Sequence, residues 1–465
     1  MPHNPAMLRF APSVIGMTTF AVMAFLYNWN PGLYLEILKG VGVPPWRYPF
    51  LDGEFMYAMK HFWLQGGDVY KSVPYGGIVA TMPYSPLWQR LPMLPSDTAA
   101  RVPIGMTTGL LLLISIAWLP PARSCRDAVL LSLATVSTMV WFALERNNID
   151  VWIYLLIFVG GLLFSHRFLL RCISYLIFLF AGLLKYYPMI LFLMAFRERA
   201  SRFWVIALAS LTSLILFWLG FRHELQAALG NLPAGTPFDM IGIVNIPLFV
   251  SLGDKAGEHA ILQMSCRLWL TACVMILAYK LAVRPHFAAS LARLPEAHLV
   301  WLMIGCLVMG GCYLAIQNVG YRGIYLLPVL SGLLALRRVT DDSRLRAELG
   351  RVTLAIVPIM WMEGIRYWAK TLALNVGDAA AIFIQLAFWL VREILWLYLA
   401  CMMTAVVMSY LAQSTMGRSW YNHSLLIRKH LAFGSRTRST PAPAGSAADP
   451  PPTSNGLRSP SWNKK

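Results

Sequence analysis

Charge is what this sequence has least of. Only 13% of its 465 residues are Asp, Glu, Lys or Arg, and just 21 of them are acidic. A water-facing surface needs about a quarter charged residues, so a soluble globular chain is excluded. Paired cysteines are missing too. No CxxC and no Cys/His spacing occurs, which argues against a disulfide framework and a zinc site. Cys172, Cys266, Cys273, Cys306, Cys312 and Cys401 sit in apolar runs and read as small packing residues, while Cys125 lies in a short basic loop. No internal repeat is evident, whereas secondary transporters usually carry one. What remains is apolar: 58% hydrophobic residues, 17 Trp and 23 Phe. Such a chain belongs in a membrane.

A membrane helix needs about 20 apolar residues. Candidate spans cover 8–28, 103–120, 128–144, 149–165, 168–184, 186–196, 203–221, 260–283, 297–316, 322–336, 352–372 and 380–411. The expected fold is therefore an all-α polytopic membrane protein of about 12 transmembrane helices (10–13). The stretch 168–196 is too long for one span and contains Lys185 and Pro188. Two short helices are expected to meet there, because proline removes a backbone donor. The first segment lacks the small-residue cleavage site of a signal peptide.

The net charge of +18 would suit nucleic acid, but its distribution does not. With the N-terminus inside, one side collects Arg123, Arg126, Arg167, Arg171, Arg197, Arg199, Arg202, Lys280, Arg284, Arg293, the cluster 337–351 and the C-terminal tail. That side holds about 24 basic against about 7 acidic residues, the cytoplasmic bias of bacterial inner-membrane (plasma-membrane) proteins. The charge is topology signal, and nucleic acid drops out. Residues 1–433 form the expected membrane domain, with 414–433 as a basic interfacial helix and 434–465 as a disordered cytoplasmic tail.

The same orientation gathers polar residues on the extracytoplasmic face: the first loop 29–101, Glu145 to Asp150, Lys185, the loop 222–259, Gln317 to Arg322, and Glu363 with Arg366. The first loop is too long for a plain connection. Within it Phe55, Met59, Phe62 and Trp63 are spaced for one helical face, between Asp52 and Gly66-Gly67. This predicts an interfacial helix capped by Asp52 and stopped by glycine. Asp52 reads either as that N-cap or as a catalytic base, and the two are compatible. Glu54 and Asp150 are the rival bases, Glu54 pointing elsewhere if 53–65 is helical.

Taken in order, these pieces resemble glycosyltransferase family 87, the DUF2029 group of C-type (GT-C) membrane glycosyltransferases that includes polyprenyl-phosphate-mannose-dependent mannosyltransferases. The resemblance rests on Asp52 with Tyr57, Gly66, Asp68 to Tyr70 and Tyr84-Ser85-Pro86. It continues through Glu145-Arg146-Asn147-Asn148-Ile149-Asp150, Leu184-Lys185-Tyr186-Tyr187-Pro188 and Tyr321-Arg322, spanning 50 to 330. The corner glycine of the family is Asn147 here, which tolerates a left-handed backbone. Gly53 and Glu54 replace the commoner aromatic or aliphatic residues, and 340–465 matches only as generic spans.

The resemblance implies a hexosyltransferase, with mannose as the family's sugar. It would move the sugar from a polyprenyl-phosphate donor to a lipid or glycan acceptor, with inversion and without a further cofactor. Phosphate leaves readily, so one carboxylate must take the acceptor proton and cations must hold the lipid phosphate. Asp52 is the expected base. Lys185, Arg146, Arg322, Asn148 and Tyr84 are the expected substrate-binding residues. Arg146 reads equally as a structural partner of Glu145 or Asp150, and Arg322 as a snorkelling side chain. Lys185 has fewer obvious partners. Asn148 and Gln317 read more readily as groups satisfying backbone at helix breaks. In loop 222–259, His223, Glu224, Asp239, Asn245, Asp254 and Lys255 would shape an acceptor groove. Glu258 and His259 are metal-ligand types without a third partner, so no metal is expected. Tyr70, Trp88 and Tyr186 read as interfacial aromatics or sugar platforms. The competing classes are a transporter or flippase, a ligase or polymerase of lipid-linked glycans, and a non-enzymatic scaffold.

Overall fold

Among the described residues of the computed structural model helix is the only extensive secondary structure, as a chain with so little charge and so many apolar runs requires. The structure describes residues 5–46, 48–75, 78–164, 167–232, 235–237, 240–250 and 260–419. The expected tail 434–465, most of the interfacial helix 414–433, and Asp239, Asp254, Lys255, Glu258 and His259 lie outside them.

The N-terminal half runs α1 (Pro5–Trp29), α2 (Pro31–Gly40), α3 (Leu51–Leu64), the short α4 (Leu87–Arg90), α5 (Arg101–Ser115), α6 (Cys125–Thr135), α7 (Thr138–Arg146), α8 (Ile149–Leu163) and α9 (Phe168–Leu184). A 3-10 segment, Tyr187–Arg197, leads to α10 (Ala200–Gly220), α11 (Arg222–Gly230), α12 (Asn245–Val250) and α13 (Ala260–Ala282). The remainder is α14 (Pro285–Ala292), α15 (Glu296–Ala315), α16 (Leu326–Val339), α17 (Ser343–Leu374) and α18 (Asp378–Gln413). Two small antiparallel ladders pin the loops: β1 (Val73–Tyr75) with β2 (Ile78–Ala80), and β3 (Met240–Ile241) with β4 (Asn318–Val319).

The chain is an all-α membrane protein. Among the described residues, six helical stretches are long and apolar enough to cross a bilayer: Met7–Trp29, Thr98–Trp118, Ala200–Gly220, Ala260–Ala282, Glu296–Ala315 and Asp378–Gln413. A seventh appears if α6 and α7, bent by 42°, count as one. Helices α8, α9 and the segment Tyr187–Arg197 are apolar but shorter. The expected span 128–144 is thus broken at Val136-Ser137. The run Thr135-Val136-Ser137-Thr138 combines β-branched and hydroxyl side chains, which hold helix poorly. The break expected at Lys185 is present, with α9 ending at Leu184 and the 3-10 segment opening at Tyr187-Pro188.

Helices α15 and α16 form the centre, their apolar side chains almost wholly buried against α18, α17, α8 and the 3-10 segment. At the rim, α10 and α13 leave Leu208, Leu211, Leu216, Leu268 and Ile276 exposed, an apolar band that hydrocarbon would cover. Ion pairs join Arg171 to Glu198 (2.6 Å) and Arg338 to Asp127 (2.7 Å) near helix ends. The loops 41–100, 145–150, 185–187 and 317–322 interlock through hydrogen bonds and ring contacts.

Candidate active site

The site begins with how α3 starts. Its N-cap is Phe50, not Asp52, and Phe50 adopts a left-handed backbone (φ 67°). The Phe50 N–H donates to the carbonyl of Glu145 at 2.5 Å, a long-range bond that fixes the helix start two residues early. Asp52 therefore sits inside the first turn, and its carboxylate is free to face across rather than to cap. At the other end Gly66 (φ 85°) and Gly67 close the helix as expected, the Gly67 N–H reaching Phe62 O and the Gly66 N–H reaching Trp63 O.

The facing corner is Asn147-Asn148. Asn147 takes the left-handed conformation (φ 45°) that ends α7, and its side chain accepts from Thr108 Oγ1 at 2.8 Å. Asn148 caps α8, its Oδ1 accepting from the Asp150 N–H at 3.0 Å, while its Nδ2 donates to Asp52 Oδ2 at 2.6 Å. One residue thus satisfies a helix break and orients the candidate base. Arg146 lies 3.6 Å from Asp52 Oδ1 and 3.2 Å from Glu145 Oε2, donates to Pro44 O at 3.2 Å, and packs over Trp46 and Phe142. Of its two expected structural partners it pairs with Glu145.

A second cluster centres on Asp150, which is fully buried. Lys185 Nζ lies 2.8 Å from Asp150 Oδ2, Arg322 Nε lies 3.5 Å from the same oxygen, and Tyr187 donates to Oδ1 at 2.7 Å. Tyr187 also meets Tyr325 hydroxyl to hydroxyl at 2.8 Å. The reading of Lys185 as poorly partnered is corrected: a buried ammonium needs a counter-charge, and Asp150 supplies it. Arg322 does not snorkel. It turns inward, bonding Asn318 and lying over the Tyr187 ring.

Tyr84 joins the two clusters. Lys185 Nζ lies 5.2 Å from the centre of its ring, and the ring of Tyr321 is 5.8 Å from the same ammonium. Burial, with Asp52 and Asp150 nearby, pushes the Tyr84 phenol well above its ordinary value, so it stays a hydrogen-bond donor. Burial also raises the Asp52 carboxyl, against the pull of Arg146, Asn148 and Lys185. A carboxylate with a raised pKa is a stronger base, and 29% of this side chain remains exposed.

The charges divide unevenly. Near Asp52, two carboxylates share one guanidinium; around Asp150, two cations share one carboxylate. The second half is thus suited to an anion and the first to a neutral group with a proton to lose. Five separate segments supply Asp52, Tyr84, Arg146 with Asn148, Lys185, and Arg322. Glu54 points elsewhere, to Arg101 (2.8 Å) and Tyr48 (3.1 Å). Gln317 bonds Gly235 O and Asn245, as a residue serving a helix break should. Glu224 pairs with Arg90 at 3.3 Å, and Glu363 with Arg366 and the buried Arg392 at 2.7 and 3.0 Å, both away from this cluster. Among the described residues no group of three His, Cys, Asp or Glu could hold a metal.

The sequence reading missed Tyr187 and Tyr325 as partners of Asp150, and the bond from Phe50 to Glu145. Tyr187 was visible in the Lys185 step, but nothing local showed which way it turned. Comparison with family models, curated proteins and solved structures finds no match to this chain.

Proposed function

We propose that this chain is a C-type membrane glycosyltransferase of about 12 spans, lying in a bacterial inner membrane with both termini cytoplasmic and the site extracytoplasmic. It moves a hexose, mannose by the family resemblance, from a polyprenyl-phosphate donor to a lipid or glycan acceptor. The observation that carries this reading is the paired arrangement above: an accessible, hydrogen-bonded Asp52 beside a cationic pocket formed by Lys185 and Arg322 around one carboxylate. Asp150 is a poor candidate for the base, being fully buried and held by three partners, and Glu54 is tied to Arg101.

In this mechanism the acceptor hydroxyl hydrogen-bonds to Asp52 Oδ1 while Asn148 fixes Oδ2. The acceptor oxygen attacks the anomeric carbon from the face opposite the phosphate. The new C–O bond forms as the C–O bond to phosphate breaks, and the proton passes to Asp52. Lys185 and Arg322 stabilise the charge gathering on the departing polyprenyl phosphate, assisted by the Tyr84 hydroxyl. Displacement from the opposite face inverts the configuration. Arg146 keeps Asp52 oriented, because it is anchored by Glu145, Pro44 and two rings.

An apolar cavity of about 400 Å³ supports the lipid-linked donor. Its walls come from Gly182, Leu183, Tyr186, Leu214, Trp218 and neighbouring residues of α9, α10 and α11, beginning next to Lys185. A polyprenyl chain there would place its phosphate at the cationic half of the site. The test is transfer from a panel of radiolabelled polyprenyl-phosphate hexoses in membranes containing the chain. Label must enter a lipid or glycan product with the anomeric configuration inverted. Absence of transfer from every donor, or retention of configuration, sinks the proposal.

A further inference from the structure

The proposed chemistry leaves the transferred sugar one place to lie. Its anomeric carbon must meet an acceptor oxygen held at Asp52, while its phosphate sits at Lys185 and Arg322. The ring therefore crosses the gap between the two clusters. Most polar groups around that gap are already engaged. Asn148 gives Nδ2 to Asp52 and Oδ1 to the Asp150 N–H. Arg146 serves Glu145, Pro44 and Asp52. Lys185 and Arg322 share Asp150, and the Tyr84 hydroxyl serves the phosphate in the proposed mechanism.

Tyr321 is the exception. Its ring links the two clusters, 5.5 Å from Phe142, the ring under Arg146, and 5.8 Å from Lys185 Nζ. The side chain is only partly buried. Its hydroxyl bonds no described residue and is open to solvent, unlike the sealed hydroxyl of Tyr313. Burial, then Tyr84, Asp150 and Asp52, hold the phenol well above its ordinary value against the pull of Arg322, so it stays a donor. Its backbone is fixed on both sides. Strand β4 pairs with β3 just before it. In the 3-10 turn Gly320–Tyr325, Gly323 packs on Met139 of α7 too closely for any Cβ. A phenol held in place and left without a partner loses little freedom when a ligand hydroxyl arrives.

We propose that Tyr321 recognises the donor sugar, its hydroxyl hydrogen-bonding one ring hydroxyl of the hexose while Lys185 and Arg322 hold the phosphate. The inference deepens the glycosyltransferase reading and rests on it for the transfer step; the sugar contact itself is read from binding alone. A phenol can both donate to and accept from a sugar hydroxyl. A neutral polyol suits this position better than a second anion, because Asp52 and Asp150 both act on the phenol. Tyr321 thereby becomes a specificity-determining residue, since a site built to bond a hydroxyl rejects the analogue that lacks it.

Binding is measured on the purified full chain with polyprenyl phosphate carrying mannose, glucose or galactose, and with polyprenyl phosphate that carries no sugar. The tightest hexose is then compared with its monodeoxy analogues, each lacking one ring hydroxyl. Tyr321→Phe should weaken the parent hexose about tenfold, the loss of one neutral hydrogen bond. It should leave the sugar-free phosphate unchanged. One monodeoxy analogue should bind both proteins equally, because the hydroxyl that Tyr321 meets is missing from it. Tm should not move, since the phenol hydroxyl supports no contact within the described protein. Equal weakening of the sugar-free phosphate would put Tyr321 in the phosphate clamp and overturn the proposal. So would an unchanged parent affinity, a loss spread evenly over every analogue, or hexoses that bind no tighter than the bare phosphate.

Transfer by the same two proteins separates this inference from the reading beneath it. Tyr321→Phe should lower kcat/KM about tenfold for the parent donor and leave it unchanged for the one insensitive analogue. No transfer by wild type, with the binding pattern intact, defeats the glycosyltransferase reading and leaves the sugar contact standing. Transfer by wild type that Tyr321→Phe leaves unaltered for every donor upholds that reading and overturns the role of Tyr321.

Discussion

Asn148 performs two tasks with two atoms, and they can be separated. Its Oδ1 caps α8 through Asp150 N–H, and its Nδ2 donates to Asp52 Oδ2. Serine at this position retains a capping oxygen but cannot reach Asp52. The donation favours the charged carboxylate, so its loss raises the Asp52 pKa further. A base works only when deprotonated, so activity rises with pH through that pKa. Asn148→Ser should therefore move the acid limb of the rate–pH profile upward while Tm stays nearly constant, because serine is also a good cap. An acid limb that stays in place would separate Asn148 from the base.

Lys185 allows a sharper separation of structure from chemistry. Removing one partner of a buried ion pair typically costs about 3–5 kcal/mol, since the other charge is left uncompensated. Lys185→Met should lower Tm substantially through Asp150, even though Arg322 remains. Adding Asp150→Asn should lower Tm further, because the buried Arg322 then loses its counter-charge as well. On the proposed mechanism transfer should stay lost in both variants, because the phosphate would lose half of its cationic clamp. Recovery of transfer in the double variant would reduce Lys185 to a structural ion.

At the scale of elements, the site depends on α3 lying closely against the α7–α8 corner. Gly53 makes that approach possible: a Cβ there would stand 2.7 Å from Asn147 Nδ2. Asn147 has little room to yield, being held by Thr108 and by its own left-handed turn. Gly53→Ala should push α3 away from the corner and open the Asp52–Asn148 bond. Displacements of about 1 Å can cost about 100-fold in rate, so transfer should fall by that order with Tm little altered. Full activity would mean that the contact does not set the geometry.

These elements also show what was legible in the sequence. The break at Lys185, the turn at Asn147 and the stop at Gly66-Gly67 were readable because each is local. Proline, an αL-tolerant Asn and glycine act within a few residues. The start of α3 was not, because the Phe50 bond to Glu145 crosses some 95 residues and overrides the capping preference of Asp52. The reading of Asp52 as cap failed for that reason, and the same shift turned its side chain toward Asn148. The co-location of Lys185, Arg322 and Tyr84 followed from sidedness and motif order. Their common partner Asp150 did not, since burial of one carboxylate among three donors is a property of packing.

Across the whole molecule, an apolar body carries a polar, charge-divided site. The centre, α15 and α16, holds the 3-10 segment and α8 in place, and through them Tyr187 and Asp150. The first loop is fastened over the same site by Trp88, whose Nε1 donates to Leu184 O at 3.0 Å, and by Asn231, which bonds Tyr70 O at 2.9 Å. An apolar cavity opens beside Lys185, walled by Gly182, Leu183, Tyr186 and Trp218.

The most direct test is transfer of labelled sugar from polyprenyl-phosphate-mannose by wild type and by Asp52→Asn at matched expression. The substitution keeps volume and hydrogen bonding but removes the proposed base, and loss of general-base catalysis is worth about 10² to 10⁴ in rate. The expected result is label in product with wild type and a loss of at least two orders of magnitude with Asp52→Asn. Equal transfer by the two proteins would contradict it.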